Sequence, residues 1–408
     1  MELDHSNVAD QPAWTAGAAL ISPPAISAAT VRLLEDIADF RGSWVKLREL
    51  EPDRLASLRR VATVESVASS TRIEGAEVSD EEVERILSGL SIDSFRARDE
   101  AEVRGYADLL TFIFDNVGAL RLTENHIKQM HAILLSHVSK DKAHRGEYKH
   151  VPDDVVATWP DGKTRVIFRP ASPADTILMV PRLCEETRAA LDGQGESSIA
   201  VIADFILCFL AIHPFQDGNG RLSRALTTML LIQAGHDYVP YGSMERVIED
   251  NKAAYYAELR RSQVAIRSDP ADYDPWLQFF CRALLAQQQG IRSRIAHART
   301  AAVLPKELAK LLEHVTTHGR ATTSEIAATT GDSERTIRAR FAQLVERGLL
   351  TAEGKSRKSR VYVTPPPAPS TALPPSSSID AASDALADSG PLTEPGQPRR
   401  VSRRPPQP

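Results

Sequence analysis

A chain of 408 residues is long enough to hold two or three domains with proper cores. Its 42% hydrophobic and 25% charged composition is that of an ordinary soluble globular protein, which argues against fibrous, collagenous and membrane-embedded classes. The formal net charge of −5 gives no bulk attraction to nucleic acid or to an anionic membrane surface.

Cys184, Cys208 and Cys281 show no disulfide or metal-ligand spacing, and two of them lie in apolar helical runs. They read as reduced core thiols. The polar, acidic start "MELDHSNVAD" lacks a signal-peptide pattern. No apolar run reaches membrane-spanning length, and the longest, Ile199 to Ile212, contains Asp204. The expectation is a cytoplasmic protein with no membrane partner.

Residues 1–28 read as a loose N-terminus, with Pro23 and Pro24 ahead of the first helix. Helical periodicity then runs through "TVRLLEDIADFRGSWVKLREL" and "DRLASLRRVATVESVASS". In "SDEEVERIL" Ser79 and Glu82 form a capping-box pattern. Further helices are expected at "DEAEVRGYADLLTFIFDNV", "TENHIKQMHAILLSH" and "ADTILMVPRLCEETRAAL". Between the last two lies one convincing hairpin, "DDVVATWPDGKTRVIF", with Pro160-Asp161-Gly162 as its turn. Helices continue from Arg224 to about Arg299. Residues 300–364 read as a separate small module, and 365–408 as a disordered Pro/Ser-rich tail.

The chemistry concentrates in "AIHPFQDGNGRLSR", Ala211 to Arg224, a polar knot between two apolar helices. Gly218 and Gly220 can take left-handed backbone that other residues resist. Around Asn219 they would turn successive N–H groups inward as an anion nest. A helix opening near Arg221 adds the positive end of its dipole, and Arg221 and Arg224 share one face of it. Asp217 is placed to hold a magnesium ion bridging phosphate oxygens. Pro214 ends the preceding helix at His213 and leaves a titratable nitrogen at the mouth of the anion site. A base beside a polyphosphate suggests phosphoryl or nucleotidyl transfer to a hydroxyl. The plainer reading is a helix corner, with Asp217 an N-cap, the arginines solvated and His213 a core residue. The presence of base, metal ligand, nest and two guanidiniums in one loop and one helical turn argues against it.

"HPFQDGNGRLSR" resembles the signature of Fic-domain proteins, and "LTENHIKQMHAILL", "RGEYK" and "NKAAYYAEL" sit where that family has comparable segments. The resemblance implies a mainly α fold: a helical Fic core at 116–299 behind an N-terminal helical region at 29–115, a β-hairpin flap and a C-terminal winged-helix module. It also implies transfer of AMP from ATP, with magnesium, to a hydroxyl of a target protein, and release of pyrophosphate. His213 would be the general base and Asp217 the metal ligand. Gly218, Asn219 and Gly220 would cradle the phosphates, and Arg221 and Arg224 would hold the β- and γ-phosphates. Tyr255 and Tyr256 would flank the adenine with Asn251 nearby, or else serve as ordinary helix residues.

"SSTRIEG", Ser69 to Gly75, ends a helix at a glycine and leaves Glu74 at the unfavourable C-terminal end of the dipole. Ser70, Glu74 and Gly75 resemble the family's N-terminal inhibitory-helix motif. There the glutamate pairs with the second arginine, here Arg224, and takes the place of the γ-phosphate. The hairpin resembles the flap that receives a target segment as an added strand. It departs from the usual pattern at Val156-Ala157, and the chain departs again at Lys149.

In the last module, "TTSEIAATTG" and "DSERTIRARFAQLVERG" read as two helices turning at Gly331. "LLTAEGKSRKSRVYV" reads as two strands with a basic wing at Lys355, Arg357, Lys358 and Arg360. Packing or protein contact is favoured over DNA binding there. The expected partners are a target protein with a Ser, Thr or Tyr hydroxyl, the chain itself as a target, and a second copy of the chain. Two other readings stay open. One is a DNA-binding regulator whose Fic domain senses nucleotide. The other is an enzyme in which Glu74 orients water to remove AMP.

Overall fold

The computed structural model describes residues 19–21, 26–47, 52–89, 97–138, 144–153, 155–158, 164–193, 197–266, 273–302, 304–318, 320–354 and 360–363. The expected turn at 160–162, most of the basic wing and the tail lie outside these. The fold is mainly helical. Helices α1 (Ala28–Leu47), α2 (Pro52–Ile73), α3 (Asp80–Leu87), α4 (Ala97–Asn116) and α5 (Glu124–Leu134) come first. Strands β1 (Val155–Thr158) and β2 (Thr164–Phe168) follow. Then come α6 (Pro173–Asp192), α7 (Ser198–Ile212), α8 (Asn219–Gln233), a 3₁₀ turn (Val239–Tyr241), α9 (Met244–Asp250), α10 (Lys252–Ala265) and α11 (Asp274–Ala302).

Local chemistry explains the boundaries. The Ser79–Glu82 capping box is formed in both directions at the start of α3. Thr123 caps α5 through the His126 N–H, and Ser172 caps α6 through that of Asp175. Helix α7 is apolar on every side, and every residue from Ile199 to Ile212 is buried. It packs against α6, α8, α10 and α11, so it forms the axis of the core. Its all-round apolar character therefore reflects a buried position in a large domain. All three cysteines are free and buried along this core.

Strands β1 and β2 pair antiparallel, with Val156 opposite Val166, Thr158 opposite Thr164 and an irregularity at Val155/Val156. A second apolar core lies beyond α11. It is built from α12 (Lys306–His318), β3 (Arg320–Thr322), α13 (Thr323–Thr330), α14 (Glu334–Glu346), β4 (Thr351–Glu353) and β5 (Val361–Val363). Its sheet is antiparallel in the order β3-β5-β4, and Phe341 stacks on Tyr362 at 3.9 Å. Gly331 closes α13 with φ +76°. Strand β3 is three residues long and carries a weak local signal; helix α12 is missing from the sequence-based expectation although Leu308, Leu311, Leu312 and Val315 recur at helical spacing and enter this core.

Helices α4 and α5 meet at Gly105, where a Cβ would fall 2.0 Å from the Leu134 carbonyl oxygen. Helical Gly42 has no such neighbour within 4 Å. Gly105→Ala should therefore cost about 1–3 kcal/mol of stability, because one backbone must move. Gly42→Ala should add about 0.5–1 kcal/mol, from the lower conformational entropy of the unfolded chain. Denaturant unfolding of both variants checks this. Equal midpoints for the two would refute the close approach.

Candidate active site

Pro214 stops α7, and the chain turns away from the core at His213. His213 is the one non-glycine with positive φ (52°) among the described residues. Its N–H caps α7 on the Phe209 carbonyl at 2.9 Å. The imidazole donates to the Leu210 carbonyl and lies beside buried Lys149, whose Nζ donates to the Ile212 carbonyl at 2.9 Å. Burial, with help from the lysine charge, lowers the imidazole to about 4. It is thus neutral through the physiological range, with one nitrogen able to accept a proton. Asp153, just before β1, places Oδ2 3.7 Å from His213 Nε2. With a neutral imidazole this is no ion pair. It is a carboxylate waiting beside the nitrogen that would become charged.

The loop is held from below by neutral groups. Phe215 stacks on His131 at 3.8 Å and 12°. His131 accepts from the Gly146 N–H at Nδ1 and donates from Nε2 to the Asp217 carbonyl, both at 3.0 Å. That pattern fixes its tautomer, and burial lowers it to about 4. Asn219 is fully buried and spends its side chain on Phe215. It donates to the Phe215 carbonyl at 2.7 Å and accepts from its N–H at 3.0 Å. Its contribution to a phosphate cradle is therefore limited to its backbone N–H.

The nest differs in detail from the sequence-based expectation. Gly218 is left-handed (φ +82°) and is the N-cap of α8. Gly220 is already helical and not left-handed. Its requirement is steric: a Cβ there would sit 2.4 Å from Glu74 Oε1. Asp217 is not the N-cap; its Oδ1 accepts from the Gly218 N–H at 2.6 Å and from Arg221 Nη2 at 3.1 Å. The N–H groups of Asn219 and Gly220 open the helix without intrahelical acceptors, and the dipole adds positive potential. With two guanidiniums alongside, these are groups of the kind that receive an anion.

Both arginines are buried, 2% and 4% exposed, which removes the solvated-corner reading. Arg221 lies between Asp217 and Glu102 Oε2, the latter 3.2 Å from its Nη1. Arg224 donates from Nε to Ser70 Oγ at 2.9 Å, and from Nη2 to the Ser70 carbonyl at 3.0 Å and Glu74 Oε1 at 2.6 Å. Burial is the largest influence and works against the Arg224 charge, but Glu74 together with Tyr106, Tyr255 and Tyr256 more than offsets it and the guanidinium is held above its ordinary range. Glu74 is the C-cap of α2. The Gly75 N–H bonds to the Arg72 carbonyl and the Ala76 N–H to that of Thr71, and Gly75 has φ +97°. This is a Schellman ending. Arg72 bonds Glu249 of α9 and Asp80 of α3, and Arg246 bonds Asp80 in turn, so the helix end is tied down.

Tyr255 lies inside an aromatic cluster with Trp276 and Phe279, its phenol pushed up to about 12 by burial despite nearby Arg224. Tyr256 is half-buried at the edge of that cluster. Asn251 sits between α9 and α10 and donates to the Val247 carbonyl at 2.8 Å. Sequence reasoning missed Glu102, His131 and Asp153. No local signal could have found them, since the i,i+4 spacing of Arg98 and Glu102 reads equally as a solvated pair.

No group of three or more His, Cys, Asp or Glu side chains is arranged for a metal among the described residues. Asp217 alone offers a carboxylate at the loop. That fits a magnesium ion whose other ligands are phosphate oxygens and water.

Residues 121–231 match the model of the Fic/DOC family. The chain is 27% identical over 201 residues to "Protein adenylyltransferase Fic" of Drosophila grimshawi, covering 47% of this chain and 38% of that protein. It is 26% identical over 242 residues to "Protein adenylyltransferase fic-1" of Caenorhabditis briggsae, covering 58% and 43%. The chain thus spans less than half the length of these curated relatives. A Fic family protein from Desulfovibrio desulfuricans G20 has a similar fold, with TM-score 0.55 and 20% identity over 84% of this chain and 98% of that one. C. elegans Fic-1 (aa134–508) gives TM-score 0.51 at 20% identity, over 67% and 73%. The chain carries a Fic domain. Among the described residues no helix is long and apolar enough to cross a membrane.

Three histidines, the buried His131 and His236 and the largely buried His213, are each lowered by burial from 6.5 to about 4. The unfolded chain takes up these protons first. Their contribution to stability is therefore intact above about pH 6.5 and lost as pH falls toward 4. The slope should approach about 4 kcal/mol per pH unit when all three differ. Unfolding curves at stepped pH values measure it, and His236→Leu should remove about a third. A flat stability between pH 7 and 5 would contradict the assignment.

Proposed function

We propose that this Fic-domain chain is a protein adenylyltransferase that restrains itself through Glu74. The observation that carries the reading is the Arg224–Glu74 contact, made between α8 and the cap of α2 beside a loop that presents a neutral histidine and a helix N-terminus.

In this mechanism the triphosphate lies along the start of α8. The Asn219 and Gly220 N–H groups and the dipole receive phosphate oxygens, and Arg221 and Arg224 receive the β- and γ-phosphates. A magnesium ion held by Asp217 and the phosphates would supply neutralisation of phosphate charge. His213 takes the proton of a target Ser, Thr or Tyr hydroxyl. The hydroxyl oxygen forms its bond to the α-phosphorus while the bond from that phosphorus to the bridging oxygen breaks, and pyrophosphate leaves. Asp153 stabilises the imidazolium as it forms. The target segment adds to the β1–β2 hairpin by backbone hydrogen bonds, which set its register without requiring a sequence.

Glu74 restrains transfer by competing for Arg224. While the carboxylate holds the guanidinium, the γ-phosphate cannot, and the α-phosphate does not settle in line with the hydroxyl. The tie from Arg72 to Glu249 and Asp80 keeps the helix end in place.

Two sets of variants test this with ATP labelled on the α-phosphate. Glu74→Gly should raise label entering protein, on the order of 10²-fold, through turnover more than affinity. Arg224→Ala in that background should lose the gain. His213→Ala should lower transfer by about 10²–10⁴-fold with ATP binding retained. A folded, ATP-binding Glu74→Gly protein that labels no faster than wild type removes the inhibitory role.

The same substitution has a stability signature. Deleting one partner of a buried pair leaves Arg224 unanswered, so nucleotide-free Glu74→Gly should lose about 3–5 kcal/mol. Added ATP should restore more stability to it than to wild type. Equal stabilisation by ATP in thermal unfolding of the two proteins would count against competition for one guanidinium.

A further inference from the structure

A buried carboxylate links Arg221 to an exposed arginine on α4. Glu102, in the second turn of α4, is 5% exposed. Its Oε2 lies 3.2 Å from Arg221 Nη1, and its Oε1 accepts from Arg98 Nε at 2.8 Å. Arg221 continues to Asp217. Arg98, Glu102, Arg221 and Asp217 thus alternate in sign from solvent to the anion site.

Arg221 and Arg224 face three carboxylates: Asp217, Glu102 and Glu74. The other nearby cations serve other parts of the site: Lys149 stands beside His213 and Lys252 beside Glu74 and Arg224. Arg98 is the cation held at the Arg221 end, through Glu102. The Arg98 side chain is 66% exposed, and among the described residues its two Nη groups have no hydrogen-bond partner. It feels the attraction of Asp217 and the repulsion of Arg221, which places it on the loop side of α4. As a stabilising contact alone, an exposed i,i+4 pair contributes only about 0.3–0.5 kcal/mol. Binding Glu102 through Nε leaves the planar Nη pair directed outward, the fork that suits two phosphate oxygens.

We propose that Arg98 is a further phosphate-binding residue, receiving the β,γ-phosphate end of the nucleotide and then the departing pyrophosphate, with Glu102 as the positioning residue that holds Arg98 and Arg221 in tandem. The proposal rests on the nucleotide reading of the loop. It adds a phosphate contact from α4 to a site whose other proposed phosphate ligands lie at the start of α8. Pyrophosphate release would then pass a solvent-facing guanidinium.

The test uses the full-length Glu74→Gly protein as parent, with Arg98→Gln and Arg98→Lys added in that background. Affinities for ATP, AMP and inorganic pyrophosphate are measured by calorimetry with magnesium present. Arg98→Gln should weaken ATP and pyrophosphate roughly tenfold and leave AMP unchanged. Arg98→Lys should fall between, because it keeps the charge without the fork. Unchanged ATP and pyrophosphate affinity overturns the proposal while the nucleotide reading stands. Equal losses for all three ligands, AMP included, make Arg98 structural and also overturn it. A loss confined to labelling of a protein target, with ATP affinity intact, assigns Arg98 to the target and overturns it too. A parent that binds none of the three ligands removes the nucleotide reading and this proposal together.

Discussion

The buried charge of Arg224 is the constraint around which the site is organised. A guanidinium in that position must be answered by hydrogen bonds and an anion, because desolvation of an unpaired ion costs several kcal/mol. Ser70 supplies two acceptors and Glu74 the charge, all from the last turn and cap of α2. The end of that helix is therefore part of the site. Its Schellman ending and its ion pairs to α3 and α9 determine where Glu74 can be. A bound phosphate would answer the same charge, so occupancy by the carboxylate and by an anion are alternatives by electrostatics alone.

Around this point the molecule separates rigidity from charge. The loop is held by uncharged contacts: a histidine stacked on Phe215, an asparagine bonded twice to the Phe215 backbone, and a glycine whose missing Cβ leaves room for Glu74. None of these changes charge at neutral pH. The ionised groups sit on top, where a ligand can reorganise their pairing. His213 combines both characters. Its left-handed backbone is tolerated because Pro214 ends the helix there and α7 anchors the turn in the core. Its imidazole is kept neutral by the burial that positions it.

The N-terminal helices also complete the electrostatics of the loop. Glu102 from α4 and Glu74 from α2 approach α8 from different helices, one on each arginine. A core of α7 and α8 alone would leave Arg224 without a counter-charge and Arg221 with Asp217 only. The C-terminal unit has its own apolar core and supplies none of the described ligands.

Much was legible in the sequence because it is local. Periodicity marked the helices, Ser79 with Glu82 marked a cap, and Pro160-Asp161-Gly162 separated two β-rich arms that do pair. The density of His, Asp, Gly and Arg between two apolar runs located the loop. The partners of those residues were not local. Glu102 lies more than a hundred positions before Arg221, and nothing in its own helix tells it from a solvated glutamate. Asp153 and His131 are equally ordinary until the fold brings them to the loop. Gly220 looked like a turn residue by analogy with Gly218, yet it is helical and needed for space. Backbone preference belongs to a residue and its neighbours, so the sequence states it. Which charges meet depends on how α2, α4 and α8 pack, and that was decided only when the core closed.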